Sequence, residues 1–270
     1  MRVADGTSAV VTGAAGGIGA ALAQRLLERG ASVTLSDLDA DRLTATASAL
    51  EAEHPGRVAH LAGDAADEAC LRELVATAEG LAGPVALFVA NAGIFRGFGL
   101  EADDAAWQSS WDVNVMAHVR AARLLVPQWL ERGEGCFAVT ASAAGLLTQL
   151  GLPTYAVTKH AAVGFAEWLA ATYGDRGVQV AALCPMGVRT PLVEQAEATL
   201  DEQARLGMRS VTEAGAVLEP LEVADSLLAA IDEGRFLALP HAEVGTMHAR
   251  KAADPDRWIA GMQRLRRSLD

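Results

Sequence analysis

Tyr155 and Lys159 stand four residues apart in YAVTK; they are one of only two tyrosines and one of only two lysines in a chain where arginine supplies nearly every other positive charge. Positions i and i+4 of a helix share a face, so a phenol and an ammonium placed there reach one pocket. A free phenol ionises near pH 10, which leaves about one molecule in a thousand as phenolate at neutral pH. A cation fixed ~4–5 Å away at an effective dielectric near ~20 supplies roughly 4 kcal/mol, nearly enough by itself to bring that pKa down by about three units. The pair then becomes a proton acceptor for an alcohol. Arginine, with its wide planar fork, is a poorer fit for that compact charge. Taken alone, the same two residues are equally a chance pair of helix neighbours with the lysine solvated. Ser142, at the end of the strand-like run in FAVTASAAG, shifts that balance because it falls at the same edge as the features that follow.

TGAAGGIG, Thr12 to Gly19, sits between the first strand-like run and a helical pattern carrying Leu22 and Leu26. Glycine permits close backbone approach there, and the free N–H groups and positive end of the helix can receive a pyrophosphate. Two spacings fit, Gly13 with Gly17 and Gly19 or Gly13 with Gly16 and Gly19. Asp37 ends the second strand, ASVTLSD, where a carboxylate can accept hydrogen bonds from adenosine ribose hydroxyls; it could also merely open the turn DLDAD. A 2′-phosphate would meet a like charge at Asp37, with no Arg or Lys at 38 to 40 or in the glycine loop to offset it. The expected cofactor is therefore NAD rather than NADP. Asp64 could meet the adenine edge or cap the next helix, and Asn91-Ala92-Gly93 follows the fourth strand, where open α/β sheets bind ligands.

These groups must be carried by a regular alternation. β-Branched runs at Ser8–Thr12, Ser32–Ser36, Val58–Ala62, Val85–Ala90, Cys136–Thr140, Val178–Leu183 and Phe236–Leu239 are separated by helical periodicities. That order predicts one α/β domain over residues 1–270, a Rossmann-type doubly wound parallel sheet of about seven strands with helices on both faces. Residues 186–215 interrupt the rhythm, as a substrate-binding lid or a plain surface insertion. A C-terminal helical extension over 254–270 carries Trp258, Ile259, Met262, Leu265 and Leu269 as a stripe that would dock on its own domain or on a neighbouring subunit.

With these residues in place, the chain resembles the short-chain dehydrogenase/reductase family in its compact single-domain branch. TGAAGGIG, Asp37, Asp64, NAG, Asn114 in WDVNV, Ser142 thirteen residues before Tyr155, YAVTK and PMGVRT carry the likeness over nearly the whole length. The resemblance implies Tyr155 as general base, Ser142 as holder of the substrate oxygen, Lys159 as binder of the nicotinamide ribose, and Asn114 as the residue positioning a water between Lys159 and solvent. It implies cofactor contacts from Gly13, Gly17, Ile18, Gly19, Asp37, Asp64, Ala65, Asn91, Ala92, Gly93, Tyr155, Lys159, Pro185, Val188 and Thr190. It further implies a homotetramer or homodimer built on the helices spanning Trp107–Leu130 and Tyr155–Ala171. Met186 stands where the family's Pro-Gly pair puts glycine, which puts the path of that loop in question.

Composition narrows the partners. A formal charge of −12 excludes a phosphate-tracking surface of clustered Lys and Arg, so no nucleic acid is expected. No apolar run has membrane-spanning length and no signal peptide opens the chain, so a cytoplasmic protein without membrane partner is expected. Cys70, Cys136 and Cys184 fit neither a disulfide framework nor a metal knuckle; they read as reduced packing residues, and no metal is expected. The leading reading is an oxidoreductase moving hydride between NAD(H) and a secondary alcohol or ketone. The apolar stretches IFRGFG and AAGLLTQLGLP, with Met186 and Leu192, point to a cyclic, terpenoid, aromatic or steroid-like substrate. A non-catalytic NAD-binding regulator or scaffold, and a sugar-nucleotide epimerase or dehydratase, are the alternatives. The latter usually needs a sizeable separate substrate domain, for which this length leaves little room.

Overall fold

The computed structural model describes residues 2–191 and 201–269. Strands β1 (Ser8–Thr12), β2 (Ser32–Asp37), β3 (Val58–Ala62), β4 (Leu87–Ala90), β5 (Gly135–Thr140), β6 (Val178–Leu183) and β7 (Leu237–Ala238) form one parallel sheet in the order β3-β2-β1-β4-β5-β6-β7. β1 and β5 are buried along their whole length, so their sequences read as continuous small and apolar runs rather than alternations.

Helices α1 (Gly17–Glu28), α2 (Ala40–Glu53) and α9 (Pro220–Asp232) close one face through Leu22, Leu26, Leu43, Leu227 and Leu228. The other face is closed by α3 (Glu68–Ala82), α5 (Ala117–Arg132) and α7 (Pro153–Tyr173), with Leu74, Leu125, Trp129 and Ala166 in its core. Each fully buried leucine contributes about 1.5–3 kcal/mol. Because β2 and β4 flank β1 and the chain order reverses there, a crevice opens above the carboxyl ends of β1 and β4.

Beyond one-residue shifts at strand ends, where β7 keeps only Leu237–Ala238 of the expected Phe236–Leu239, two elements depart from the sequence expectation. β4 begins at Leu87 rather than Val85, because the Val85 carbonyl accepts from Trp129 Nε1 and Arg132 Nη2, each at 2.8 Å, and so is taken by side chains. The expected long helix from Trp107 is broken into α4 (Asp104–Trp111), a π turn (Asp112–Met116) and α5. The extra residue of a π turn rotates the helix face, and Asn114 lies within it, fully buried.

At the sheet's edge, α6 (Ala144–Leu147), α8 (Glu202–Thr212), α10 (Ala242–Ala253) and α11 (Pro255–Leu269) surround the site. The terminal helix docks on its own domain: Trp258 Nε1 donates to Leu147 O at 3.3 Å, and Lys251 Nζ on α10 donates to Leu146 O at 2.7 Å. Leu269 is buried while Ile259 is 54% exposed, so Ile259 does not share the docked face. Of residues 186–215, Leu192 and its neighbours through 200 lie outside the described residues.

Candidate active site

The glycine loop is cut to fit a ligand. Gly13 and Gly17 have φ of 65° and 55°, and a Cβ on Gly13 would stand 2.8 Å from Ala92 Cα. A Cβ on Gly19 would run into the Gly13 carbonyl oxygen, whereas one on Gly16, whose φ is 177°, would meet only the movable end of Arg42. The backbone demand therefore falls on Gly13, Gly17 and Gly19, which separates the two spacings left open by sequence. α1 begins with no side-chain cap and no acidic residue in its first turn, leaving its N–H groups free.

Thr12 and Asn91 stitch the crevice together. Thr12 Oγ1 accepts from Asn91 N at 3.0 Å and Ala92 N at 3.1 Å, while Asn91 Nδ2 donates to the carbonyls of Thr12 at 3.0 Å and Gly13 at 3.1 Å. Asp37 Oδ2 accepts from Ala15 N at 3.0 Å and Oδ1 from Asp39 N at 3.1 Å, which fixes the carboxylate beside the loop.

The crevice is a cleft of about 620 Å³. Of the residues singled out by sequence, Gly13, Gly17, Ile18, Asp37, Asn91, Ala92, Gly93, Ser142, Tyr155, Lys159, Pro185, Val188 and Thr190 line it. Gly19, Asp64, Ala65 and Asn114 do not. Gly19 packs α1 on the loop, Asp64 Oδ1 accepts from Ala66 N at 2.8 Å in its own turn, and the cap of α3 is Asp67. Sequence reasoning missed Arg42, which lines the cleft one turn into α2, two residues beyond the stretch screened for positive charge.

Tyr155 and Lys159 are both buried on α7, with Lys159 Nζ 5.5 Å from the tyrosine ring centroid and donating to Thr140 O at 2.8 Å. Phe95 packs edge-on against the phenol at 4.2 Å between centroids. Ser142 Oγ accepts from Ala144 N at 3.1 Å and donates to Pro185 O at 3.4 Å. Burial pushes the phenol up to about 12, and its hydrogen bond with Ser142 pulls the other way. Burial pushes the Lys159 ammonium down to about 8. Burial is the largest influence on the phenol and acts against the depression expected from a neighbouring cation.

Asn114 acts from behind. Its Oδ1 accepts from Ile94 N at 2.9 Å, and its Nδ2 donates to Ile94 O at 3.1 Å and to Thr158 Oγ1 at 3.0 Å, tying the loop after β4 to α7 one residue before Lys159. A Cβ on Gly93 would lie 3.2 Å from Lys159 Nζ and 3.3 Å from Asn114 Oδ1, so a side chain there would press on both groups. The loop at Met186 is held by His241, a second residue without sequence signal: Nδ1 accepts from Met186 N and Nε2 donates to Ala216 O, each at 3.1 Å.

Beyond the tyrosine the cleft opens into a second, apolar cavity of about 160 Å³, which shares Phe95, Ser142, Tyr155 and Met186 with it. Met186, Met208, Met247 and Met262 line it, four of the six methionines, with Leu147, Trp258 and Leu265. Among the described residues no group of three or more His, Cys, Asp or Glu could hold a metal ion, and no helix is long and apolar enough to cross a membrane.

The family model described as short chain dehydrogenase matches residues 7–201, and the chain belongs to that family. 1-Deoxy-11-beta-hydroxypentalenate dehydrogenase of Streptomyces avermitilis is 33% identical over 258 residues, 94% of this chain and 92% of that protein. 3beta-Hydroxysteroid dehydrogenase 2 of Eggerthella lenta is 34% identical over 191 residues, 70% of this chain and 73% of that one. The crystal structure of a short chain dehydrogenase/reductase from Burkholderia phymatum in complex with NAD superposes with a TM-score of 0.86 at 29% identity, covering 95% of this chain and 96% of that chain. The protein is an oxidoreductase of hydroxyl or keto groups that uses a nicotinamide cofactor.

Proposed function

We propose that this protein is an NAD-dependent dehydrogenase of a hydrophobic, alicyclic secondary alcohol, with Tyr155 as general base. The observation that carries the reading is the position of Ser142 and Tyr155 on the boundary of both cavities, with Lys159 on the cleft side and a wall of thioether and hydrocarbon on the other. The hydroxypentalenate and hydroxysteroid in the names of the two relatives support an apolar polycyclic substrate.

The residues present fit a dinucleotide. Gly13, Gly17, Ile18 and the open end of α1 would hold the pyrophosphate, Asp37 the adenosine ribose, Lys159 the second ribose, and Pro185, Val188 and Thr190 the nicotinamide side. The bound ring supplies the hydride acceptor or donor. For oxidation, Ser142 and Tyr155 orient the alcohol oxygen, and the hydroxyl proton passes to Tyr155 as the carbinol C–H bond breaks. Lys159, with a positive ring nearby, offsets the desolvation that holds the phenol protonated. Asn114 positions a water through which Lys159 exchanges the proton with solvent.

NAD is preferred because the Asp37 carboxylate, fixed by two backbone N–H groups, repels a 2′-phosphate. Trp111, Val157 and Trp168 expose apolar surface on α4 and α7, 40%, 47% and 53% accessible, and support a homodimer or homotetramer built on these helices. The described parts of residues 186–215, with Met208, Val211 and Ala214 over the apolar cavity, support a role as substrate lid. The decisive experiment incubates the protein with NAD and a panel of alicyclic secondary alcohols and follows absorbance of the reduced cofactor. Turnover that falls by about 10²–10⁴-fold in Tyr155→Phe is expected; cofactor binding without turnover across the panel would make the protein a regulator instead.

A further inference from the structure

Thr148 is the one residue other than glycine, among those described, with a positive φ, at 80° with ψ 173°. This corner of backbone space is essentially reserved for glycine, because a Cβ there collides with the neighbouring peptide groups. A β-branched side chain is among the worst choices for it. The turn itself does not ask for threonine: Thr148 N donates to Ala144 O at 3.1 Å to close α6, and glycine would close it without strain.

What the threonine adds is a hydroxyl-bearing side chain at a residue that lines the apolar cavity. The other polar side chains there, outside the catalytic pair, are engaged inside the protein. Ser210 Oγ donates to Gly207 O at 2.7 Å, and Gln149 Nε2 donates to the same carbonyl at 3.3 Å. Among the described residues Thr148 is exposed, and its hydroxyl has no protein partner.

We propose that Thr148 is a specificity residue whose hydroxyl bonds a second oxygen of the substrate, apart from the carbinol held at Ser142 and Tyr155. The substrate class is then a rigid alicyclic alcohol with a second hydroxyl or keto group toward its far end, apolar in between. The assignment rests on reading this cavity as the substrate site. Strain at one residue is retained for what its side chain does, as functional sites retain it elsewhere.

The test compares trans-2-decalol with decalin diols carrying the second hydroxyl on the far ring. Binding is followed by quenching of tryptophan fluorescence, to which Trp258 in the cavity wall responds, and NAD reduction is followed in the same samples. The parent protein should bind the best diol about five- to tenfold more tightly than the mono-alcohol, the worth of one net hydrogen bond. Thr148→Val keeps the outline and the strain and should erase that ratio; Thr148→Ser should keep most of it. Thr148→Gly should lose the ratio and raise the melting temperature by about 2–4 °C. Equal affinity of the parent for both compounds, binding of neither, or a ratio unchanged in Thr148→Val overturns the assignment. Failure of the dehydrogenase reading looks different: the ratio and its loss in Thr148→Val are seen, and NAD is not reduced.

Discussion

His118 is fully buried on α5, and neither ring nitrogen has a hydrogen-bond partner among the described residues. Burial, and then the nearby Lys159 charge, push its pKa down to about 3 from 6.5. The sign follows: between these values the unfolded chain takes up a proton that the fold refuses, so stability present above pH 6.5 is lost as pH falls toward 3. At 1.36 kcal/mol per unit the loss is roughly 2–3 kcal/mol by pH 4.5. Urea unfolding at pH 7 and 4.5 should show that loss in the parent and most of it removed in His118→Met. Lys159, lowered to about 8, acts at the other end, adding stability as pH rises from 8 toward 10.5, a slope that Lys159→Met should flatten. At the adenosine end, Asp37→Ala would leave Arg42 as the cation lining the cleft beside Leu38 and Asp39. The ratio of kcat/KM for NAD over NADP should fall more than about tenfold in that variant, and Arg42→Ala in the same background should cancel the gain for NADP, which steady-state kinetics would show. The Tyr155–Lys159 pair and the glycine loop were legible because residue type and spacing carry them. Arg42, His241 and the phenol's raised pKa were not, since each depends on what the fold brings near rather than on local sequence.

Among the elements, α11 carries the sharpest prediction. It contributes Trp258, Met262 and Leu265 to the apolar cavity but nothing to the dinucleotide cleft. A chain ending before Pro255 should keep its cofactor affinity and raise KM for an alicyclic alcohol by about tenfold or more, since several buried apolar contacts go at once; calorimetry with NAD and steady-state kinetics would separate the two. Strand positions were legible nearly to the residue, because two-sided burial selects unbroken β-branched and small runs. The π turn was not, because nothing in WDVNV distinguishes an inserted helical residue from an ordinary turn. It is the demand of Asn114 for Ile94 and Thr158 that reveals it.

For the molecule as a whole, the two exposed tryptophans on α4 and α7 set the expectation for assembly. Light scattering at micromolar concentration should give two or four chains, and Trp168→Glu should shift the population toward one; a parent protein that is monomeric would remove the proposed contact. Four methionine thioethers line the apolar cavity beside Tyr155. Thioethers are unbranched and polarisable, so a wall built from four of them yields to a guest of unfamiliar outline instead of rejecting it. Such a compliant lining sorts molecules poorly by contour, and discrimination between alcohols of similar bulk then falls to the few fixed polar contacts at either end.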